Sequence, residues 1–181
     1  MKCTECGNAT TKSVGDHAYR ESGLDNVILR NTTKYTCESC GAVKVQIVAM
    51  GPLHRAIAHA IATKPTRFMP KEVRFLRDHL DLGNKEFAEL MGVSPEQASR
   101  WTTSDPIGVP AERLLRLIAV MGPDAIAART ADADAKLAVK LELLDLLGAL
   151  GCLSSVGATA SDVPIRLRRA SSSWQADAIP S

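Results

Sequence analysis

The chain has 181 residues, of which 45% are hydrophobic and 23% charged, with a net charge of +2. That length fits one ordinary domain or two small ones, and the balanced charge predicts only weak non-specific affinity for DNA. No stretch offers the roughly 20 apolar residues of a membrane span, and no secretory signal follows Met1, so we expect a cytoplasmic protein without membrane contact.

Four of the five cysteines lie in the first 40 residues, as two C-x-x-C pairs. Each pair offers two thiolates from one tight loop, and four thiolates complete the tetrahedral shell of a structural zinc ion without leaving a position for water. A glycine follows each pair and can adopt the positive φ of such a turn. We therefore predict one structural Zn²⁺ per chain, bound by Cys3, Cys6, Cys37 and Cys40.

Three other uses of the cysteines remain open: iron in the same four-sulfur cage, disulfides, or a redox pair. Disulfides are disfavoured without a secretory signal, and a redox pair does not need a matching second pair, so iron is the main alternative. The 30 residues between the pairs exceed the usual spacer. Short strands predicted at 26–30 and 33–36 must fold back to bring the pairs together, and a further strand is predicted at 42–48.

The middle of the chain predicts helices. Leu53, Ile57 and Ile61 recur at helical spacing, so we expect a linker helix within 51–69, ended by Lys64-Pro65. Apolar spacing and helix-start signals then predict five short helices from 70 to 129, with Asn84 as the N-cap of the second and Ser94 as that of the third. The predicted fold class is α+β: a zinc-binding β module (1–50) followed by an all-α domain.

The residues from Asn84 to Trp101 have the pattern of a helix-turn-helix. Ala88 is small where the two helices would cross, Gly92 suits the turn, and Trp101 is assigned to the core. The second helix would lie in the major groove with its N-terminal residues towards the bases. Its predicted base contacts are Glu96, Gln97, Ser99 and Arg100, and the predicted phosphate contacts are Asn84 and Lys85. A helical hairpin that binds no DNA is the competing interpretation.

The C-terminal third has two predicted parts. A Leu-rich run, Leu137 to Leu150, predicts an additional helix within 130–150. Residues 151–181 are dominated by Ser, Ala, Gly and Pro, which predicts a disordered tail. Within this tail, Arg166, Arg168 and Arg169 form a basic cluster.

The two signatures together resemble the MqsA-type antitoxins, which join a YgiT-type zinc finger to an Xre-like helix-turn-helix. The resemblance covers roughly 1–129 and rests on both cysteine pairs, Tyr35, and the run from Gly83 through Trp101. It implies a homodimer that binds a palindromic operator, and a zinc module that binds a cognate toxin. Glu96 falls where the family's type member has a DNA-contacting asparagine, and Arg100 where that member has a DNA-contacting arginine.

The sequence therefore predicts a DNA-binding transcriptional repressor, the antitoxin of a toxin–antitoxin pair. A protein-interaction adaptor and a standalone regulator without a toxin are the alternatives. We do not expect an enzyme, because no catalytic triad, open metal site or phosphate loop is present in the sequence.

Overall fold

The computed structural model describes residues 1–122, 163–170 and 173–177, and within them the chain is α+β. The described strands are β1 (Thr10–Ala18), β2 (Val27–Cys37), β3 (Val43–Gln46), β4 (Ile165–Ala170) and β5 (Ser173–Ala176). The described helices are α1 (Met50–Thr63), α2 (Pro70–His79), α3 (Asn84–Met91), α4 (Pro95–Trp101) and α5 (Val109–Met121). None of these helices is both long and apolar enough to cross a membrane.

The chain divides into two compact units, one of residues 1–56 with 164–181 and the other of residues 57–163. The first unit contains a mixed sheet built around β2. β1 and β3 pair with β2 antiparallel, β4 pairs with it in parallel, and β5 pairs with β4 antiparallel. One face of this sheet is apolar because buried residues alternate along the strands; they are Val27, Leu29, Ile165, Leu167 and Trp174.

The prediction of a disordered tail over 151–181 is wrong for residues 165–170 and 173–176, which form β4 and β5. β4 adds to the edge of β2 with Leu29 opposite Leu167, and this pairing buries both side chains completely. The indole N–H of Trp174 donates a hydrogen bond of 3.1 Å to the carbonyl of Val48. Apolar burial and backbone pairing thus outweigh the polar composition of this segment.

The predicted strands before the second cysteine pair also differ in detail. The predicted segments 26–30 and 33–36 fall, from Val27 onward, in one strand, β2, in which Asn31 has a positive φ of 54°. Its antiparallel partner β1 was not predicted, because its sequence is mostly polar and its side chains are mostly exposed. The strand expected at 42–48 is shorter and forms β3.

Helices α2 to α5 in the second unit confirm four of the five predicted between 70 and 129. The predicted helix before them is α1, in which Leu53, Ile57 and Ile61 are fully buried. The prediction of Asn84 as an N-cap is wrong: Gly83 is the N-cap, and the Glu86 carboxylate accepts its backbone N–H at 2.7 Å. The fifth helix after Gly122, the helix predicted within 130–150 and Cys152 lie outside the described residues.

The second unit also contains a buried network of charged side chains. Arg116, on α5, is fully buried, and its guanidinium donates to the carbonyls of Ala62, Lys64 and Thr66 at 2.6–2.8 Å. It also donates to Glu112 Oε1 at 2.8 Å. These bonds satisfy carbonyls at and beyond the C-terminal end of α1, which have no partner within the helix. The middle of α5 is thereby tied to the end of α1 and to the segment that follows it.

Candidate functional site

The four predicted ligand sulfurs lie together at one end of the sheet. Cys3 Sγ and Cys40 Sγ are 3.6 Å apart, Cys6 Sγ and Cys37 Sγ are 3.4 Å apart, and all four sulfurs lie within 4.8 Å of one another. A tetrahedral ion with metal–sulfur bonds of about 2.3 Å has sulfur–sulfur edges of about 3.8 Å. A disulfide would need about 2.05 Å. The four cysteines are therefore placed to hold a metal ion.

Two equivalent turns present these sulfurs. In the first turn, the Cys3 N–H donates to the carbonyl of Asn8 at 2.8 Å, and the Gly7 N–H donates to the carbonyl of Cys3 at 3.1 Å. The second turn repeats both bonds, at 2.9 Å each, with Cys37, Gly41 and Ala42. The two glycines have φ of 74° and 73°, a conformation that a side chain would strain. This bears out the sequence-based role of a glycine after each pair.

The strands explain how the long interval between the pairs is spanned. β1 and β2 form an antiparallel pair in which Thr10 lies opposite Cys37. A bridge between Lys2 and Ala9 closes the first turn. The second turn connects β2 to β3, with Thr36 opposite Val43. The predicted folding back of the inserted strands is confirmed, and most of the interval is used to build the sheet that aligns the two turns.

The electrostatics of the four thiols favour a cation among them. The pKa of Cys37 is lowered to about 6, chiefly because the backbone N–H of Cys40 donates to its sulfur. The pKa of Cys40 is raised to about 12: the N–H of Ala42 lowers it, but hydrogen bonds with the thiols of Cys6, Cys3 and Cys37 raise it more. Thiolates this close repel one another, and a bound cation would offset that repulsion.

The second candidate site is the pair of helices α3 and α4. They are joined by Gly92, Val93 and Ser94, and Gly92 has a left-handed φ of 67°. Ser94 caps α4 by accepting the N–H of Gln97 at 3.3 Å. Asn84 Nδ2 donates to the carbonyl of Pro95 at 2.9 Å, so the first turn of α3 is fastened to the first turn of α4. Sequence analysis missed this bond because it joins two helix starts through one amide.

Burial on α4 agrees with the predicted inner and outer sides. Ala98 is fully buried and Trp101 is 6% exposed. Facing them from α3, Phe87 and Ala88 are also buried. The opposite side of α4 is exposed, and it carries all four of the predicted base contacts, Glu96, Gln97, Ser99 and Arg100. The helix therefore offers one continuous polar surface.

The individual candidates differ in their freedom to contact DNA. Lys85 is exposed in the first turn of α3, whereas Asn84 is half-buried and its side-chain nitrogen is bonded to Pro95. Arg100 is 62% exposed and lies 3.5 Å from the Asp105 carboxylate. The pKa of Glu96 is lowered, first by its own backbone N–H, then by the Ser94 hydroxyl and the nearby Arg100. Glu96 is consequently ionised at neutral pH and can only accept hydrogen bonds.

Comparisons of the chain with protein-family models, with curated proteins and with solved structures gave no match. The resemblance to MqsA-type antitoxins therefore depends only on the cysteine pairs, Tyr35 and the run from Gly83 through Trp101.

Proposed function

We propose that this protein is a sequence-specific DNA-binding transcriptional repressor in which α3 and α4 act as a helix-turn-helix of Xre-like type. The observation that carries the proposal is the two-sidedness of α4. Ala98 and Trp101 fix one side of the helix in the core, and the other side presents four exposed polar residues. Such a helix can enter the major groove without exposing its packing residues.

The exposed residues of α4 suit particular bases. Arg100 can bind guanine through two hydrogen bonds, and Gln97 can bind adenine in the same way. Glu96 accepts only, so its favourable partner is the amino group of cytosine. The same negative charge opposes a nearby phosphate, which directs Glu96 to a base edge. Lys85 and the N-terminal end of α3 are proposed to contact phosphate.

For the cysteine site we propose one structural Zn²⁺ per chain. Four thiolates in a compact cage satisfy zinc completely and leave no open position for a substrate, which argues for a structural role rather than catalysis. Iron would use the same four sulfurs. Metal analysis of protein purified without added metal distinguishes the two ions, and a stoichiometric iron content would overturn the zinc assignment.

We further propose a cytoplasmic homodimer that binds a palindromic operator, and an antitoxin role in which the zinc module binds a cognate toxin. These proposals depend on the resemblance to the MqsA-type family. Co-purification with the product of a neighbouring gene tests the antitoxin role. A standalone repressor would bind its operator and no such product, and an adaptor would bind protein but no DNA.

Two substitutions separate base reading from phosphate contact. Arg100→Ala should leave stability unchanged and weaken operator binding by about 1–3 kcal/mol per half-site, because a base contact is lost. Lys85→Ala should weaken binding evenly across sequences and reduce its salt dependence, because a phosphate contact is lost. Fluorescence titrations of both variants against the operator and a scrambled duplex measure these effects.

The scrambled duplex is the internal control for this comparison. Arg100→Ala should lose affinity for the operator and keep its weaker affinity for the scrambled sequence. Equal losses on both duplexes would assign Arg100 to the backbone and contradict its proposed role as a base-reading residue.

A further inference from the structure

A row of arginines lies on the outer face of the sheet in the first unit. In β4, Ile165 and Leu167 are buried, whereas Arg166 and Arg168 are exposed, because side chains alternate between the faces of a strand. Arg30 of β2 is the register partner of Arg168 and is also exposed. We call this surface the arginine face (Arg30, Arg166 and Arg168).

Two acidic side chains near this surface form ion pairs with Arg30. Arg30 Nη1 lies 3.0 Å from Asp177 Oδ2, and Arg30 Nε lies 3.9 Å from Asp16 Oδ2. Arg166 and Arg168 have no acidic partner in the same part of the chain. Placing Arg168 directly beside Arg30 is unfavourable, because like charges opposite each other destabilise a sheet. The arginine face therefore keeps positive charge that an external anion can neutralise.

We infer that the arginine face binds the phosphate backbone of duplex DNA, independently of sequence. A guanidinium offers a planar fork of donors that matches phosphate oxygens. Arg166 and Arg168 are two residues apart on one strand, or about 6.6 Å, so each can contact a different phosphate. This binding would be additional to operator recognition by α4 and does not depend on it.

The neighbours of the arginine face favour duplex over single-stranded nucleic acid. Proteins that bind single strands stack bases on aromatic side chains. The residues paired beside Arg166 and Arg168 are Ile28, Arg30 and Gln175, and the Asp177 N–H donates to the Arg166 carbonyl; none of these neighbours is aromatic. Trp174, the aromatic residue of β5, is buried on the other face. Contacts to backbone phosphates are what this surface can supply.

The test uses the full-length, metal-loaded protein and a fluorescent duplex of random sequence. Affinity is measured at salt concentrations from about 50 to about 200 mM. Removing two phosphate contacts with Arg166→Gln/Arg168→Gln should reduce the slope of log K against log salt by about 1.8. Over that range the wild type should lose about 12-fold more affinity than the variant. Arg166→Lys/Arg168→Lys should keep the wild-type slope, because lysine also contacts phosphate.

A charge-matched control and a gain-of-binding variant complete the test. Lys12→Gln/Lys44→Gln removes the same charge at the cysteine end of the sheet, where both lysines are opposite Tyr35, and should leave the slope unchanged. Asp177→Asn releases Arg30 and should steepen the slope.

The inference is overturned if wild type does not bind the random duplex at the lowest salt. It is also overturned if Arg166→Gln/Arg168→Gln keeps the wild-type slope, or if Lys12→Gln/Lys44→Gln reduces the slope by the same amount. If Arg166→Gln/Arg168→Gln loses its metal and unfolds, the Asp177→Asn variant decides the question. In that case, the absence of any gain in binding by Asp177→Asn would contradict the inference. Because the random duplex contains no operator, these outcomes are separate from those that test the repressor proposal.

Discussion

Arg116→Met should lower the free energy of unfolding of the second unit by about 3–5 kcal/mol, the cost of breaking a buried ion pair on one side. Arg116 is fully buried and is the shared donor for Glu112 and for the carbonyls of Ala62, Lys64 and Thr66. Methionine has a similar length but no donor. The substitution therefore removes partners from one carboxylate and three backbone carbonyls at once.

Glu112 has other partners besides Arg116, so the matched control is a double variant that also removes the charge of Glu112. Its carboxylate also accepts Arg67 Nε at 3.0 Å and the Phe68 N–H at 3.2 Å. In Arg116→Met/Glu112→Gln the buried negative charge is removed together with its main partner, so the double variant should be more stable than Arg116→Met alone. Denaturant unfolding followed by circular dichroism measures both. A loss below about 1 kcal/mol for Arg116→Met would show that water replaces the guanidinium at this position.

Cys37→Ser should abolish stoichiometric metal binding and unfold the sheet of the first unit. Structural zinc contributes an apparent binding free energy of about 10–16 kcal/mol in small zinc domains, and that energy is folding energy. Cys37 is the fully buried ligand and ends β2, so its loss affects the sulfur cage and the central strand together. Helices α2 to α5 have their own buried core and should remain folded.

Hydrogen exchange locates this loss of structure. Amides of β2 at 27–30 and of β4 at 165–168 should lose protection together, because these two segments pair with each other. Cys152→Ser is the matched control, since it removes the fifth cysteine and should leave metal content unchanged. Full metal content in Cys37→Ser, or protection retained in β2, would contradict a structural role for the four-sulfur site.

The cysteine site was the most predictable part of the molecule, because two C-x-x-C pairs with following glycines define the turns locally. The inner residues of α4 were also predictable, since Ala98 and Trp101 occur at helical spacing from one another. Within each turn and within α4, the residues concerned lie close together in the sequence. The meeting of the two cysteine pairs is less local, because it requires β1 and β2 to pair.

The features that sequence analysis missed depend on distant partners. β4 follows β2 by more than a hundred residues, and its two buried aliphatic residues alternate with arginines, so the segment was interpreted as a polar tail. Glu112 and Arg116 have the spacing of an ordinary surface pair on a helix, and only the packed structure shows that they are buried. The Gly83 N-cap is a separate case: its partner Glu86 is only three residues away, and it was missed because the neighbouring Asn84 is the more usual N-cap residue type.

The central proposal, that α3 and α4 recognise DNA, is tested most directly by one titration. The metal-loaded full-length protein is added to the DNA upstream of its own gene and to a scrambled duplex of the same length and composition. The proposal predicts saturable binding to the upstream DNA at least about 1,000-fold tighter than to the scrambled duplex at physiological salt. Equal affinity for the two duplexes, or no measurable binding to either, would contradict it and leave protein interaction as the role of the exposed side of α4.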